Sequence, residues 1–299
     1  MHQSNQPSDS APLCQGPDRQ LRAPARFRFP PGSVDAHFHV LGPAARYPYS
    51  PNRIYTPPDC TQQDYLDLIR VLGIDRAVLI QPSVYGTDNQ AMLDMIRTAP
   101  IKCRGVAVVD QAISDDDLQA LHRGGVRGLR CNVVDVKDKQ PGILPIDYLL
   151  SLAERIAPLG WHLELLAHVD EYPRLYDDLL RFPVPVVFGH FGYSHVRHGL
   201  DTDGFQGFLA LLRERRVWAK MSGPYRISSA PYADVLPTAA AVLAANAEQL
   251  VWGTDWPHVM VKTDMPNDAD LCDLIADWLP SAELQQQVLI RNPERLYDF

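Results

Sequence analysis

Short apolar runs alternate with longer stretches of helical periodicity from Ser33 to the end of the chain. Several short runs are apolar at every position, as strands buried on both faces of a parallel sheet are. The stretches between them repeat apolar residues every three to four positions, which is typical of amphipathic helices. The predicted strands are residues 34–40, 76–81, 104–109, 126–132, 161–167, 185–190, 217–221 and 249–254.

Helix start signals stand between these strands. Thr61 is a predicted N-cap, and Ser114 is another, with Asp117 at the capping-box spacing. Further predicted helices are residues 88–98, 146–157, 171–181, 203–215 and 231–245, and a helical tail follows at 268–297.

Eight strand–helix units over roughly 265 residues predict an α/β protein, a (β/α)8 TIM barrel, whose site would lie at the carboxyl ends of the strands. An open doubly wound sheet is the alternative. No GxGxxG follows the first strand and the chain has no P-loop, which disfavours nucleotide-binding versions of that fold. We expect one catalytic domain over residues 32–299.

The segment before the barrel differs in composition. Residues 1–31 carry six prolines among polar residues and few apolar groups to bury, so we expect a flexible, Pro-rich N-terminal arm. It lacks the basic start and apolar core of a secretory signal. No stretch is apolar for the ~18 residues that a membrane span requires.

The net charge narrows the class of binding partner, and the cysteine content indicates the cellular compartment. The formal charge is −8, from 28 basic and 36 acidic residues, which argues against a nucleic-acid or anionic-membrane binder. The five scattered cysteines form no CxxC pair, so we expect a reducing, cytoplasmic setting. A small anionic substrate stays compatible with this balance.

Polar residues close three of the predicted apolar strands. His37 and His39 are two apart at the end of the first strand and so share a face. His190 closes the sixth strand and Asp255 the eighth. Imidazoles and a carboxylate at a barrel mouth can hold a metal or activate water. Core packing or turn capping is the alternative interpretation.

Further polar groups follow the other strands. Arg130 faces inward near the end of the fourth strand and suits a substrate carboxylate, whereas Arg127 faces outward and suits an ion pair. Ser83 follows the second strand and Arg226 the seventh. The fifth strand stays ambiguous, since it offers His162, Glu164 and His168 on one face.

Together these motifs resemble the amidohydrolase superfamily and, within it, the 2-pyrone-4,6-dicarboxylate hydrolase group of lactonases. The motifs are VDAHFHVLGP, the loop from Tyr47 to Pro57, LIQPSVYGTDN, GLRCN, GHFG, KMSGPYR and WGTDWPH, in order from residue 34 to 258. The resemblance implies water attack on a carboxylated lactone in aromatic or sugar-acid catabolism. By it, Asp255 is the base, and His190, His37 and His39 polarise the carbonyl. Substrate-binding residues would be Arg130, Tyr55, Ser83, Arg226 and Tyr193.

Two positions depart from that group. Val136, beside Lys137, stands where the group has a second arginine, and Tyr193 stands where it has an arginine after HFG. A muconolactone, including a sulfonated one, or a sugar-acid lactone therefore fits as well as the pyrone dicarboxylate. The resemblance also allows one Zn²⁺ on His37, His39, His190 and Asp255, or no cofactor.

Two other functions stay open at this point. One is a zinc-dependent decarboxylase of the same superfamily, and the other is a non-catalytic binder of small organic acids. The oligomeric state is unknown from sequence.

Overall fold

The computed structural model describes residues 11–134, 142–262 and 264–299, and Val136 and Lys137 lie outside these ranges. Eight parallel strands follow one another around the sheet in chain order. They are β1 (Val34–Phe38), β2 (Arg76–Ile80), β3 (Lys102–Ala107), β4 (Val126–Asn132), β5 (His162–Leu166), β6 (Val186–Phe188), β7 (Val217–Met221) and β8 (Leu250–Trp252). The predicted (β/α)8 barrel is confirmed.

Helices follow the strands along the outside. They are α1 (Gln62–Leu72), α2 (Gln90–Thr98), α3 (Asp115–Arg123), α4 (Ile146–Ile156), α5 (Leu175–Leu179), α6 (Asp203–Arg213) and α7 (Leu236–Asn246). After β8 come α8 (Asp268–Asp273), α9 (Ile275–Trp278), α10 (Ala282–Gln286), a π-helical turn (Gln287–Arg291) and α11 (Asn292–Tyr297). Thr61 and Ser114 cap α1 and α3 as predicted.

Several predicted boundaries were wrong. The helix predicted over 171–181 is reduced to α5, because Pro173 cannot donate the backbone hydrogen bond of a helix interior. The predicted tail over 268–297 is a series of short helices. β1, β6 and β8 end before His39, His190 and Asp255, so these three side chains project from the turns after the strands.

The strands separate two apolar layers. Inward residues such as Val78, Val106, Val187 and Val251 fill the barrel, and Tyr297 of α11 packs with them. Outward residues such as Leu79 and Phe188 pack with the helices. The alternation along each strand therefore gives both a filled barrel and a covered outer wall.

Asp35 joins the first strand of the barrel to the turn that follows the last strand. Its carboxylate accepts hydrogen bonds from the backbone N–H groups of His37 and Thr254, the Thr254 hydroxyl and the Tyr65 hydroxyl. Gly253 fits here because a Cβ would lie 2.6 Å from the backbone nitrogen of His37. Burial raises the pKa of Asp35 to about 6, against the effect of these donors. Asp35 thus holds the first strand motif against the last one.

Residues 11–31 lie along the barrel surface. Leu13 forms a bridge with Thr56, and the backbone N–H of Cys14 donates to the Thr56 carbonyl at 2.8 Å. Further along, the backbone N–H groups of Arg26 and Phe27 donate to Asp273. That residues 1–31 form a flexible arm separate from a domain over 32–299 stays a prediction. In the described ranges, no helix is both long and apolar enough to cross a bilayer.

Candidate active site

A narrow cleft of about 60 Å³ opens among the turns that follow the strands. Its walls combine histidines, arginines, tyrosines and one carboxylate, and include His39, Tyr55, Ser83, Arg130, His190, Tyr193, Arg226 and Asp255. A larger groove lies on the outer wall between α2 and α3, away from this mouth. The position of the cleft at the carboxyl ends of the strands agrees with the site expected for this fold.

The Asp255 carboxylate lies at the centre of three imidazoles. Its Oδ1 is 3.4 Å from Nε2 of His37, 3.8 Å from Nε2 of His39 and 3.8 Å from Nε2 of His190. All four side chains are buried. The structure therefore brings together the four residues predicted as catalytic, with one carboxylate oxygen directed at three ring nitrogens.

The second oxygen of Asp255 has its own partners. Oδ2 accepts from the Tyr225 hydroxyl at 2.7 Å and from Nε of Arg226 at 3.0 Å, and Nη2 of Arg226 lies 3.0 Å from the same oxygen as an ion pair. Burial raises the pKa of Asp255, but the charge of Arg226 and the hydrogen bond from Tyr225 act against it and hold that pKa well below its usual range. Asp255 is consequently ionised at ordinary pH.

The three imidazoles are held from behind through their Nδ1 atoms. His39 Nδ1 is 2.6 Å from the Ile80 carbonyl, and His190 Nδ1 is 3.0 Å from the Ser222 hydroxyl. A carbonyl only accepts, so His39 carries its hydrogen on Nδ1 and its Nε2 presents a lone pair. Burial lowers the pKa to about 4 for His39 and about 3 for His190, and well below the usual value for His37. The imidazoles are neutral.

Beneath His37 lies a buried ion pair. Lys220 Nζ is 2.6 Å from Glu164 Oε2, donates to the Ala36 carbonyl at 2.9 Å and lies 3.2 Å from His37 Nδ1. Glu164 Oε1 is 3.6 Å from the same ring nitrogen. His37 thus has both a donor and an acceptor at Nδ1 and can carry its hydrogen on either nitrogen. The ambiguity of the fifth strand is settled for Glu164, which faces the interior.

These residues fit a single metal ion. His37, His190 and Asp255 offer ligand atoms within 4.8 Å of one another, and His39 Nε2 faces the same carboxylate oxygen. His37 Nε2 is buried with no hydrogen-bond partner among the described residues, as a ligand atom would be. Three neutral imidazoles and a carboxylate are donors that suit Zn²⁺.

The predicted substrate-binding residues surround the opening. Arg130 donates to the Gln81 carbonyl at 3.1 Å and faces the cleft from β4. Tyr55 is buried beside Ser83, and burial raises its pKa to about 12, so the phenol keeps its hydrogen. Arg226 reaches the cleft as predicted, although its guanidinium also binds Asp255. The structure therefore places all of these groups, and Tyr193, along one cleft.

The backbone around the cleft is held in unusual conformations. His190, Tyr193, Asp255 and His258 have φ between 49° and 61°, the left-handed region that costs a non-glycine residue about 1–3 kcal/mol. Gly223 also has positive φ, and a Cβ there would lie 2.7 Å from His190 Nδ1. Such strain is commonly stored at functional sites, where it directs side chains that ordinary turns would not.

Sequence reasoning missed some of these groups. Lys220 and Ser222 alternate on the inward face of β7 and just beyond it, so strand periodicity could have indicated both. Tyr225 stands in the turn that begins at Gly223 and Pro224, and nothing in the sequence indicates that its hydroxyl reaches Asp255. His258 lies three residues after Asp255, and its Nδ1 is 2.8 Å from the Tyr225 hydroxyl.

Comparison with known proteins agrees with this arrangement. A 2-pyrone-4,6-dicarboxylate hydrolase of Comamonas testosteroni is 41% identical, with 91% of this chain and 92% of the relative covered. A 4-sulfomuconolactone hydrolase of Hydrogenophaga intermedia is 34% identical, with 98% and 97% covered. The crystal structure of a probable 2-pyrone-4,6-dicarboxylic acid hydrolase of Acinetobacter baumannii, with citric acid bound, is 26% identical with a TM-score of 0.79, covering 90% of this chain and all of that one.

The family model for amidohydrolases matches residues 34–299, from the start of β1 to the last residue. That range contains every strand of the barrel and every residue of the cleft described above. The chain belongs to the amidohydrolase family.

Proposed function

We propose that this protein is a lactonase that opens a small carboxylated or sulfonated lactone by attack of water on the ester carbonyl. The observation that carries the proposal is the divided role of the Asp255 carboxylate. Oδ2 is bound by Tyr225 and Arg226, whereas Oδ1 faces three imidazoles in the cleft. Two relatives are named for lactone hydrolysis, which supports the same reaction.

In this mechanism Asp255 Oδ1 accepts a proton from water as the water oxygen attacks the carbonyl carbon. Because its pKa is held low, Asp255 is a weak base, and the rate must come from alignment of the water and stabilisation of the oxyanion. His39 contributes to alignment, since its Nε2 lone pair accepts a hydrogen from the same water. This tautomer gives His39 an accepting role instead of the polarising role that the resemblance implies.

Donors are then needed for the developing oxyanion. His37 and His190 supply them when their rings carry hydrogen on Nε2, which the Lys220 contact to His37 Nδ1 favours. The tetrahedral intermediate breaks its ring C–O bond, and the departing oxygen takes the proton back from Asp255. The product is a ring-opened acid with one more carboxylate than the lactone.

The cleft also accounts for an anionic substrate. Arg130 presents a guanidinium, and Tyr55 and Ser83 present hydroxyl groups on the same side. Guanidinium groups bind carboxylates and sulfonates through paired hydrogen bonds. The citrate in the Acinetobacter baumannii structure is also a carboxylated small molecule.

A Zn²⁺ ion held by His37, His39, His190 and Asp255 would add Lewis-acid polarisation of the carbonyl and a more acidic water. Arg130, Tyr55 and Ser83 would bind the substrate in either case, whereas the ring nitrogens of His37, His39 and His190 would then be occupied as ligands. Whether the protein works with one Zn²⁺ or without a cofactor is therefore part of the test.

The test is a panel of carboxylated and sulfonated lactones assayed with a pH indicator, with and without a chelator. Hydrolysis releases a proton, whereas decarboxylation consumes one, so the sign of the change separates the two reactions. We expect acidification that Asp255→Asn eliminates. Alkalinisation that requires stoichiometric zinc would show a decarboxylase, and binding without turnover would show a non-catalytic protein.

A further inference from the structure

A chain of buried polar groups leads from the cleft into the protein behind Asp255. The Tyr225 hydroxyl is 2.7 Å from Asp255 Oδ2 and 2.8 Å from His258 Nδ1. His258 Nε2 is in turn 3.1 Å from Asp268 Oδ1. His258 is fully buried and Asp268 nearly so. Neither His258 nor Asp268 has a role in the proposed reaction.

The direction of hydrogen bonding along this chain follows from counting hydrogens. Tyr225 has one hydroxyl hydrogen, and it can point at Asp255 or at His258 but not at both. A carboxylate is the stronger acceptor, which favours the Asp255 direction.

The rest of the chain agrees with that direction. When Tyr225 donates to Asp255, its oxygen is free to accept from His258 Nδ1. The Asp268 carboxylate accepts from His258 Nε2 on the opposite side of the ring. Asp268 is fixed in turn, because it is the first residue of α8 and follows the N-cap Asn267.

We infer that His258 and Asp268 are positioning residues: they hold the Tyr225 hydroxyl so that it donates to Asp255 Oδ2, which leaves Oδ1 as the oxygen that receives the proton from water. The inference rests on the proposed function. Without the chain, the carboxylate keeps Arg226 but loses the contact that fixes its rotation, and either oxygen can face the water.

The first test is a double-mutant cycle on kcat, at fixed pH, with Tyr225→Phe and Asp268→Asn. Both substitutions preserve size, so folding is expected to survive, and circular dichroism checks it. We expect Tyr225→Phe to lower kcat on the order of 10- to 100-fold, as loss of a hydrogen bond to a charged group does, with KM nearly unchanged. Asp268→Asn alone should lower kcat about threefold to tenfold.

The kcat of the double variant shows whether Asp268 acts through Tyr225. If Asp268 acts through Tyr225, Asp268→Asn will have no further effect once Tyr225 is Phe. Independent effects that multiply in the double variant would overturn the inference, and so would an unchanged or raised kcat in Tyr225→Phe. The matched control is His198→Asn, which breaks a His–Asp pair with Asp170 outside the cleft and should leave kcat within twofold.

The second test needs no substrate, so it separates failure of this inference from failure of the proposed function. In ¹⁵N-histidine-labelled protein, we expect His258 to show an attached hydrogen on both ring nitrogens, with the signals assigned by their loss in His258→Asn. A hydrogen on Nε2 alone would mean that Tyr225 donates to His258 and would contradict the inference, whatever the lactone panel shows.

Discussion

Lys220 Nζ lies 2.6 Å from Glu164 Oε2, and both side chains are buried inside the barrel directly beneath His37. The two opposite charges neutralise each other, and the lysine ammonium also donates a hydrogen bond to the Ala36 carbonyl. A buried charge without a partner costs far more than the pair gains, so the two residues depend on each other. The pair forms the floor of the proposed active site.

Removing one member of this pair should be severely destabilising. We expect Lys220→Met or Glu164→Gln to lower the free energy of unfolding by about 3–5 kcal/mol, because the remaining charge is left buried and uncompensated. The double variant should be more stable than either single variant, since it leaves no buried charge. Urea unfolding of the four proteins measures this. A double variant that loses the sum of the two single losses would show that the charges do not depend on each other.

Replacing the proposed base should strongly reduce turnover. We expect Asp255→Asn to lower kcat by about 10²- to 10⁴-fold, because the amide cannot accept the proton of water. Arg226 also loses a charged partner, so the melting temperature should fall. Asp234→Asn is the matched control, since Asp234 is exposed and bonded to Ser228. Near-normal turnover by Asp255→Asn in a protein with normal circular dichroism would remove Asp255 from the role of base.

The barrel could be predicted from the sequence because its strands are apolar on both faces, and the bounds of β4 and β7 agree with the structure. The ends of β1, β6 and β8 could not be predicted. Residues with a left-handed backbone conformation, such as His190 and Asp255, turn the chain where the hydropathy pattern still favours a strand. The hydropathy pattern indicates which residues are buried, but the backbone conformation at a turn depends on tertiary contacts.

The residues of the candidate site were also predictable only in part. His37, His39, His190 and Asp255 could be predicted because polar residues that close apolar strands of one barrel meet at its mouth. The contact between Tyr225 and Asp255 could not, since Tyr225 lies 30 residues away along the chain. Alternation directs Lys220 and Glu164 inward, but it does not say that they meet each other.

Arg130 and Arg127 provide a matched test of substrate binding on one strand. Arg130 faces the cleft, whereas Arg127 faces outward and bonds Asp298 at 3.1 Å, as its position had predicted. We expect Arg130→Met to raise KM about 10- to 100-fold for a carboxylated lactone, through loss of a charged hydrogen bond. Arg127→Met should leave KM within twofold.

The separate effects of Arg130→Met on KM and on kcat then show whether Arg130 contacts the bound substrate, the transition state or both. A rise in KM alone means that Arg130 binds ground and transition states equally, and a matching fall in kcat means that it also faces the oxyanion. Unchanged kinetics in Arg130→Met, measured on a lactone that the wild-type protein opens, would contradict its predicted role.

His162 should make the stability of the fold depend on pH. It is buried on β5, and burial, with the Lys220 charge, lowers its pKa to about 3. The unfolded chain therefore binds a proton below its usual pKa of ~6.5 that the folded protein does not bind. This contribution to stability is present above that pH and is lost as pH falls, by about 1.4 kcal/mol per pH unit.

We expect His162→Phe to make the free energy of unfolding less dependent on pH, by about 2 kcal/mol between pH 6.5 and 4.5. The three cleft histidines act in the same direction, whereas Asp35, with its pKa raised to about 6, acts in the opposite one as pH rises. Only the difference between the two proteins is therefore assigned to His162. Urea unfolding across this range measures it, and parallel pH profiles for wild type and variant would show that His162 is not held neutral.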